Sequence, residues 1–247
     1  MKTQIIYEDN EILVIYKPGG FPAQSARVTQ PDVVSEICGY LKSPYVGLVH
    51  RLDQPVEGLM VLGKTKEATA HLSRQMMDGS FQKTYLAVVR DETVDGCLNE
   101  GKEFSPDKGW TELTDYLIKD GKAGKAQVVT GQQAEKVSEA KLLYRRLNVS
   151  KDSHRQGDAE NNDTALLEVK LVTGRFHQIR AQMSNAKMPL LGDMKYGSET
   201  SQELSKQKQI KDVALCAYKL SFPHPKTKKR MEFEIKPKKP VFNSYGF

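Results

Sequence analysis

The chain has 247 residues, of which 38% are hydrophobic, enough for a substantial core and close to the upper size of a single domain. Its 37 Lys and Arg against 31 Asp and Glu leave a net charge of +6, which favours an acidic partner without specifying one. Cys38, Cys97 and Cys216 are odd in number, far apart and in no CxxC pair, which argues against a disulfide framework or a zinc knuckle. The opening MKTQIIYEDNEILVIYKPGG is too acidic and too broken for a signal peptide, and no later stretch reaches membrane-spanning length. A cytoplasmic protein with no membrane contact is expected.

In chain order, residues 12–16 form a short apolar, β-rich run that predicts a buried strand closed by the turn Lys17-Pro18-Gly19-Gly20. A helix is predicted at 33–41. Ala68, Leu72 and Met76 recur every four residues before Gly79, the pattern of an amphipathic helix with a glycine stop. Tyr85, Ala87 and Val89 then alternate along a strand. A polar region at 91–109 precedes two paired strands at 113–118 and 140–147, and residues 151–163 read as an exposed loop or hairpin tip. Residues 164–171 alternate most cleanly of all, and after Gly174 the spacing turns helical until Pro189. Strands and helices do not alternate regularly, which predicts an α+β architecture in one domain spanning 1–247.

Three segments hold polar residues that are unusual in a purely structural role: His50-Arg51-Leu52-Asp53, Lys83-Thr84-Tyr85 and Gly174-Arg175-Phe176-His177-Gln178-Ile179-Arg180. HRLDQPVEGLMVLGKTKEA resembles the segment around the catalytic aspartate of the RluA family of RNA pseudouridine synthases. KTYLAVV resembles that family's tyrosine strand, and GRFHQIRAQM its later arginine motif. PLLGDMKYGS and AYKLSFPHPKTKKRMEFE resemble further family segments, so the likeness runs in order from about Ile5 to Phe233. It implies the pseudouridine synthase catalytic fold, with a mixed, largely antiparallel sheet and flanking helices and loops. It also implies an isomerase that converts uridine to pseudouridine in structured tRNA or rRNA, with no cofactor and no metal, acting as a monomer.

By this resemblance Asp53 is the catalytic carboxylate, Arg175 its partner, and Tyr85 the ring against the target base. The chemistry agrees. A carboxylate can attack the anomeric carbon or remove a ribose proton, and both routes stay open. An arginine within roughly 4–6 Å lowers a carboxylate pKa by about 1–3 units and so keeps it ionised in a dry pocket. Arg51 is a candidate to fill the space left by an extruded base, since a planar guanidinium both stacks and hydrogen-bonds. Arg180 reads either as a phosphate contact or as a solvated helix charge. His50 and His177 have no further His or Cys at metal-ligand spacing, and the resemblance implies packing and hydrogen-bonding roles for both.

Val56 and Glu57 stand where the family often has Thr and Ser, Phe176 where Thr is usual, and Cys216 where His or Ala is more typical. These departures bear on which uridine fits, not on the reaction. The first strand is predicted within a few residues of Met1, so the small S4-type RNA-binding domain that many relatives carry ahead of this point is not expected. The basic cluster at 226–239 reads equally as an RNA track or as an edge strand that uses lysines against aggregation. Two other classes compete: a catalytically silent RNA-binding module, and a glycosidase-like enzyme, which the lack of a second motif carboxylate argues against.

Overall fold

A computed structural model describes residues 1–25, 29–92, 109–130, 137–149 and 164–246. Cys97, most of the polar region at 91–109 and all of the predicted loop at 151–163 lie outside the described residues. In chain order the elements are β1 (Gln4–Glu8), β2 (Ile12–Lys17), α1 (Val33–Leu41), β3 (Gly47–Leu48), β4 (Glu57–Gly63), α2 (Lys66–Met77) and β5 (Gln82–Arg90). There follow β6 (Thr111–Asp120), β7 (Lys125–Val129), β8 (Ser138–Val149), β9 (Thr164–Leu171), α3 (Gln178–Asn185), α4 (Glu199–Gln207), β10 (Leu215–Pro223) and β11 (Arg230–Glu234). The fold is α+β, its strand pairing mixed and mostly antiparallel. Among the described residues no helix is long and apolar enough to cross a membrane.

The chain divides into two compact units, Met1–Tyr85 with Cys216–Lys238, and Leu86–Leu215 with Lys239–Phe247. In the first, strands run in the order β1-β2-β4-β10, with β3 added to β4 and β11 to β10. Strand β2 is buried along its whole length, as its uninterrupted apolar run requires. Ile12, Val14, Leu59, Val61, Leu72 and Phe222 meet in one core, where Phe81 stacks on Phe222 at 5.0 Å. Helix α1 starts at a reciprocal capping box: Ser35 N donates to Asp32 Oδ1 and Asp32 N to Ser35 Oγ. Helix α2 starts at Thr65, whose hydroxyl accepts from Ala68 N, and stops before Gly79, which takes φ +78°.

The second unit is built on β9-β8-β6-β7, antiparallel throughout. Leu117, Ala126, Ala140 and Ala181 form a core of small side chains beneath α3. The fully buried Gln182 reaches from α3 to the Ala140 carbonyl at 3.0 Å and to Asp115 at 2.8 Å. Helix α3 is shorter than its spacing predicts. Lys187 turns to φ +59°, and Met188 N bonds back to Met183 O, closing the helix before Pro189. Strand β7 has no counterpart in the sequence reading. The basic C-terminal segment includes β11, which pairs with β10 and alternates exposed and half-buried residues.

One contact near the middle of the first unit admits only glycine. Gly58 pairs with Lys17 on β2 and Ala217 on β10, with φ +131°. A Cβ there would lie 2.4 Å from the Ala217 carbonyl oxygen and 2.5 Å from its nitrogen. Gly58→Ala is therefore expected to cost at least about 2 kcal/mol through backbone strain and separation of β4 from β10. Urea unfolding followed by circular dichroism measures this; a midpoint equal to wild type would contradict it.

Candidate active site

Lys17 ends β2 with its side chain fully buried. An isolated ammonium in such a place would be costly unless its donors were satisfied. Its Nζ donates to the carbonyls of Phe21 at 2.7 Å, Pro18 at 3.0 Å and Gln54 at 3.2 Å. Gly20 N also donates to Gln54 O at 2.8 Å, and Gln54 Nε2 to Gly20 O at 3.1 Å. The Pro-Gly-Gly loop and the turn that carries Asp53 are thus tied together around one buried cation. The turn closes by Val56 N donating to Asp53 O at 3.0 Å. Asp53 is half-buried there, between the buried Leu52 and the exposed Gln54, and Arg51 is exposed.

On β5, Lys83 and Tyr85 alternate onto one face. Tyr85 is 5% exposed, and its hydroxyl pKa is raised by burial, then by the nearby Asp53 carboxylate. The hydroxyl therefore stays protonated within the field of the Asp53 carboxylate. Lys83 is also buried, and desolvation lowers its pKa to about 8. A lysine desolvated in this way, with its charge felt at His50, is a candidate functional residue. It was quoted in the sequence with no role of its own; the signal was a lysine in step with a tyrosine on an otherwise apolar strand.

His50 lies wholly within the first unit's interior. Its Nε2 accepts from Val61 N at 3.2 Å, and its ring meets Phe81 edge-on at 5.5 Å. Burial, with the Lys83 charge, lowers its pKa to about 3, so it is a neutral packing and hydrogen-bonding residue. The departures next to Asp53 have a structural account. Val56 is 2% exposed, and Glu57 is buried with Oε2 accepting from the Tyr16 hydroxyl at 2.5 Å and from Lys238 N at 3.3 Å.

Arg175 and Arg180 belong to the second unit. Arg175 is exposed before α3, its Nε donating to Glu139 O at 2.9 Å and its backbone N to Gln178 Oε1 at 2.9 Å. Of the two readings of Arg180, a phosphate contact or a solvated helix charge, burial excludes the second. The residue is 5% exposed and grips Asp193 through Nε at 2.7 Å and Nη2 at 2.8 Å. A phosphate could take this guanidinium only by displacing a buried carboxylate, so the structure makes Arg180 an internal strut rather than an RNA contact. His177 starts α3 at φ +52°, its Nδ1 2.9 Å from the Tyr196 hydroxyl.

An Asp turn held by a buried lysine, a tyrosine strand beside it and an arginine ahead of a helix are the parts that the motifs implied. The family profile described as RNA pseudouridylate synthase matches residues 11–185, across all three. The chain belongs to the RNA pseudouridylate synthase family. Ribosomal large subunit pseudouridine synthase D of Neisseria meningitidis serogroup B is 31% identical over 246 residues, covering 95% of this chain and 58% of the relative. The protein of the same name from Pseudomonas aeruginosa is also 31% identical, covering 95% and 68%. The chain spans little more than half the length of the Neisseria relative. Among solved structures, Human RNA Pseudouridylate Synthase Domain Containing 4 shares the synthase fold at TM-score 0.69 and 21% identity, with 98% of this chain and 90% of that one covered.

Two measurements probe how this synthase-family unit is built. Lys17→Met leaves the Phe21 and Pro18 carbonyls without the ammonium donor and Gln54 O with Gly20 N alone, and is expected to cost about 3 kcal/mol or more. Hydrogen exchange of the Gly20 and Val56 amides should quicken at least about tenfold beyond any global change; unchanged exchange would separate Lys17 from the Asp53 turn. The second concerns acid. The unfolded chain protonates His50 near pH 6.5, whereas the folded state does so only near 3. As pH falls from 6.5 towards 3 the unfolded state binds the extra proton, and stability is lost at up to about 1.4 kcal/mol per pH unit. His50→Gln can still accept from Val61 N and does not titrate. Its urea midpoint should fall less than wild type between pH 6.5 and 5, and parallel curves would refute the assignment.

Proposed function

We propose that the whole chain acts as one catalytic domain that isomerises specific uridines to pseudouridine in structured RNA, without a cofactor. The observation that carries this reading is the Asp53 turn, held by Lys17, with its charge felt at the buried hydroxyl of Tyr85. Asp53 is the catalytic carboxylate, either attacking the anomeric carbon or removing a ribose proton. The bond from C1′ to uracil N1 breaks, the base turns, and C1′ bonds to C5, while the C5 proton leaves and N1 gains one. By the family resemblance, Arg175 takes the role of the arginine partner of the Asp53 carboxylate.

The target nucleotide must leave its stack, at a cost of a few kcal/mol. Tyr85 returns about 1–3 kcal/mol by stacking on the uracil, so the remaining affinity comes from phosphate contacts and RNA shape. Arg51, exposed beside the turn, fills the vacated space in the RNA. The names of the relatives make large-subunit ribosomal RNA the first substrate to test, and tRNA the second.

Ribosomal RNA tritiated at uracil C5 should release label to solvent with the wild-type protein, with neither metal nor nucleotide added. Asp53→Ala and Asp53→Asn should each reduce the rate by about a thousandfold or more while leaving RNA binding intact. Release that survives these substitutions removes Asp53 from the chemistry. Free uracil in the product would instead mark a glycosidase.

A further inference from the structure

The residue after Arg175 is an aromatic ring held outward by a rigid support. Phe176 is 37% exposed, and its inner face stacks on the His177 ring, with centroids 3.7 Å apart and planes 20° apart. His177 is fixed in turn. Its backbone is in the left-handed region, uncommon for a residue with a side chain. Its Nδ1 lies 2.9 Å from the Tyr196 hydroxyl, and that oxygen accepts from Ala126 N at 2.6 Å. Tyr196 lies under the guanidinium of Arg180, 5.0 Å from the ring centre, and Arg180 is locked onto Asp193. Asp193 also accepts from the backbone of Lys195 and Tyr196. Buried ion pair, tyrosine, histidine and phenylalanine thus form a chain of contacts that ends at the surface, with His177 meeting Tyr196 edge-on at 5.6 Å and stacking on Phe176.

The outer face of Phe176 is met by a flexible cation: Lys119 Nζ stands 4.9 Å from the ring centre. A second, Lys125, reaches the Tyr196 ring at 5.9 Å. An exposed apolar ring on a stiff base, bordered by ammonium groups, has the composition of a nucleobase platform, with the π-face for the base and lysines for its phosphate. A docking site for an apolar protein segment has no use for ammonium groups over the ring.

We propose that Phe176 stacks an unpaired nucleobase of the RNA, while Lys119 swings from the ring to that nucleotide's phosphate. This rests on the reading of the chain as an RNA-modifying enzyme and adds a condition on the substrate: the RNA must offer a nucleotide free of its helix. Every base has a π-face, so the platform selects for local single-strandedness rather than base identity.

The test uses the full chain and an unstructured RNA of about 12 nucleotides carrying 2-aminopurine, set against a duplex of the same sequence. Wild type should quench the 2-aminopurine and bind the single strand. Phe176→Leu, which keeps apolar area without a π-face, and Phe176→Thr should each weaken that binding about tenfold and abolish quenching, with duplex binding unchanged within about twofold. Phe176→Tyr should retain both properties. Thermal unfolding controls for folding, since a partly exposed ring leaves the core intact. Single-strand affinity and quenching in Phe176→Leu equal to wild type overturns the proposal, as does an equal loss on duplex. Tritium release keeps the two readings apart. If wild type releases label and Phe176→Leu matches its KM, the platform fails and the enzyme reading stands; if wild type releases none, the enzyme reading fails and quenching still decides the platform.

Discussion

The first unit depends on the burial of one positive charge. Lys17 sits at the end of a strand with no exposed surface, and three carbonyl oxygens from two loops take its hydrogen bonds. Were the Asp53 turn to move away, Gln54 O would be lost and the ammonium left short of a partner in the interior, a penalty of several kcal/mol. The same strand position pairs with Gly58, which alone lets β4 and β10 close. The loop that carries the carboxylate is therefore set by a desolvated cation on one side and a glycine contact on the other. Neither group reacts.

Desolvation then sorts the neighbouring titratable groups. It takes the Tyr85 hydroxyl upward and the Lys83 ammonium and His50 imidazole downward, in each case favouring the neutral form. A hydroxyl that stays protonated beside a carboxylate can donate to it or lie against a base without competing for the proton in play. His50, neutral at any working pH, contributes position and no charge. Lys83 is the exception, since a pKa of about 8 leaves it mostly charged at neutral pH and poised to change.

Local pattern made much of this legible. The apolar run of β2, the four-residue spacing of α2 and the alternation of β5 and β9 are properties of contiguous residues, and the structure follows them closely. Strand β7 was not legible because five residues between polar turns form a strand only by pairing with β6. The length of α3 was not either, because its end is set by a left-handed lysine rather than by the proline downstream. Of the site residues, Asp53, Tyr85 and Arg175 stood out through their motifs, whereas the parts played by Lys17, Glu57 and Arg180 depend on partners distant in sequence. Asp193, in particular, turns Arg180 from a helix charge into a buried strut, and nothing near Arg180 in the chain announces it.

Lys17 and Arg180 show one device used in both units. Each is a cation taken out of water and occupied by acceptors, and each underlies a segment carrying a side chain to which a role is proposed: Asp53 on its turn in the first, Phe176 on His177 and Tyr196 in the second. The two choices of cation follow from what must be held. Backbone carbonyls from two loops converge from different directions and suit the tetrahedral donors of an ammonium. A single carboxylate with an aromatic ring beside it suits a planar guanidinium that can bond at its edge and stack on its face. Exchanging the two cations would leave donors unmet at one site and a ring uncovered at the other, so arginine at 17 or lysine at 180 is not a conservative change even though charge and burial are kept.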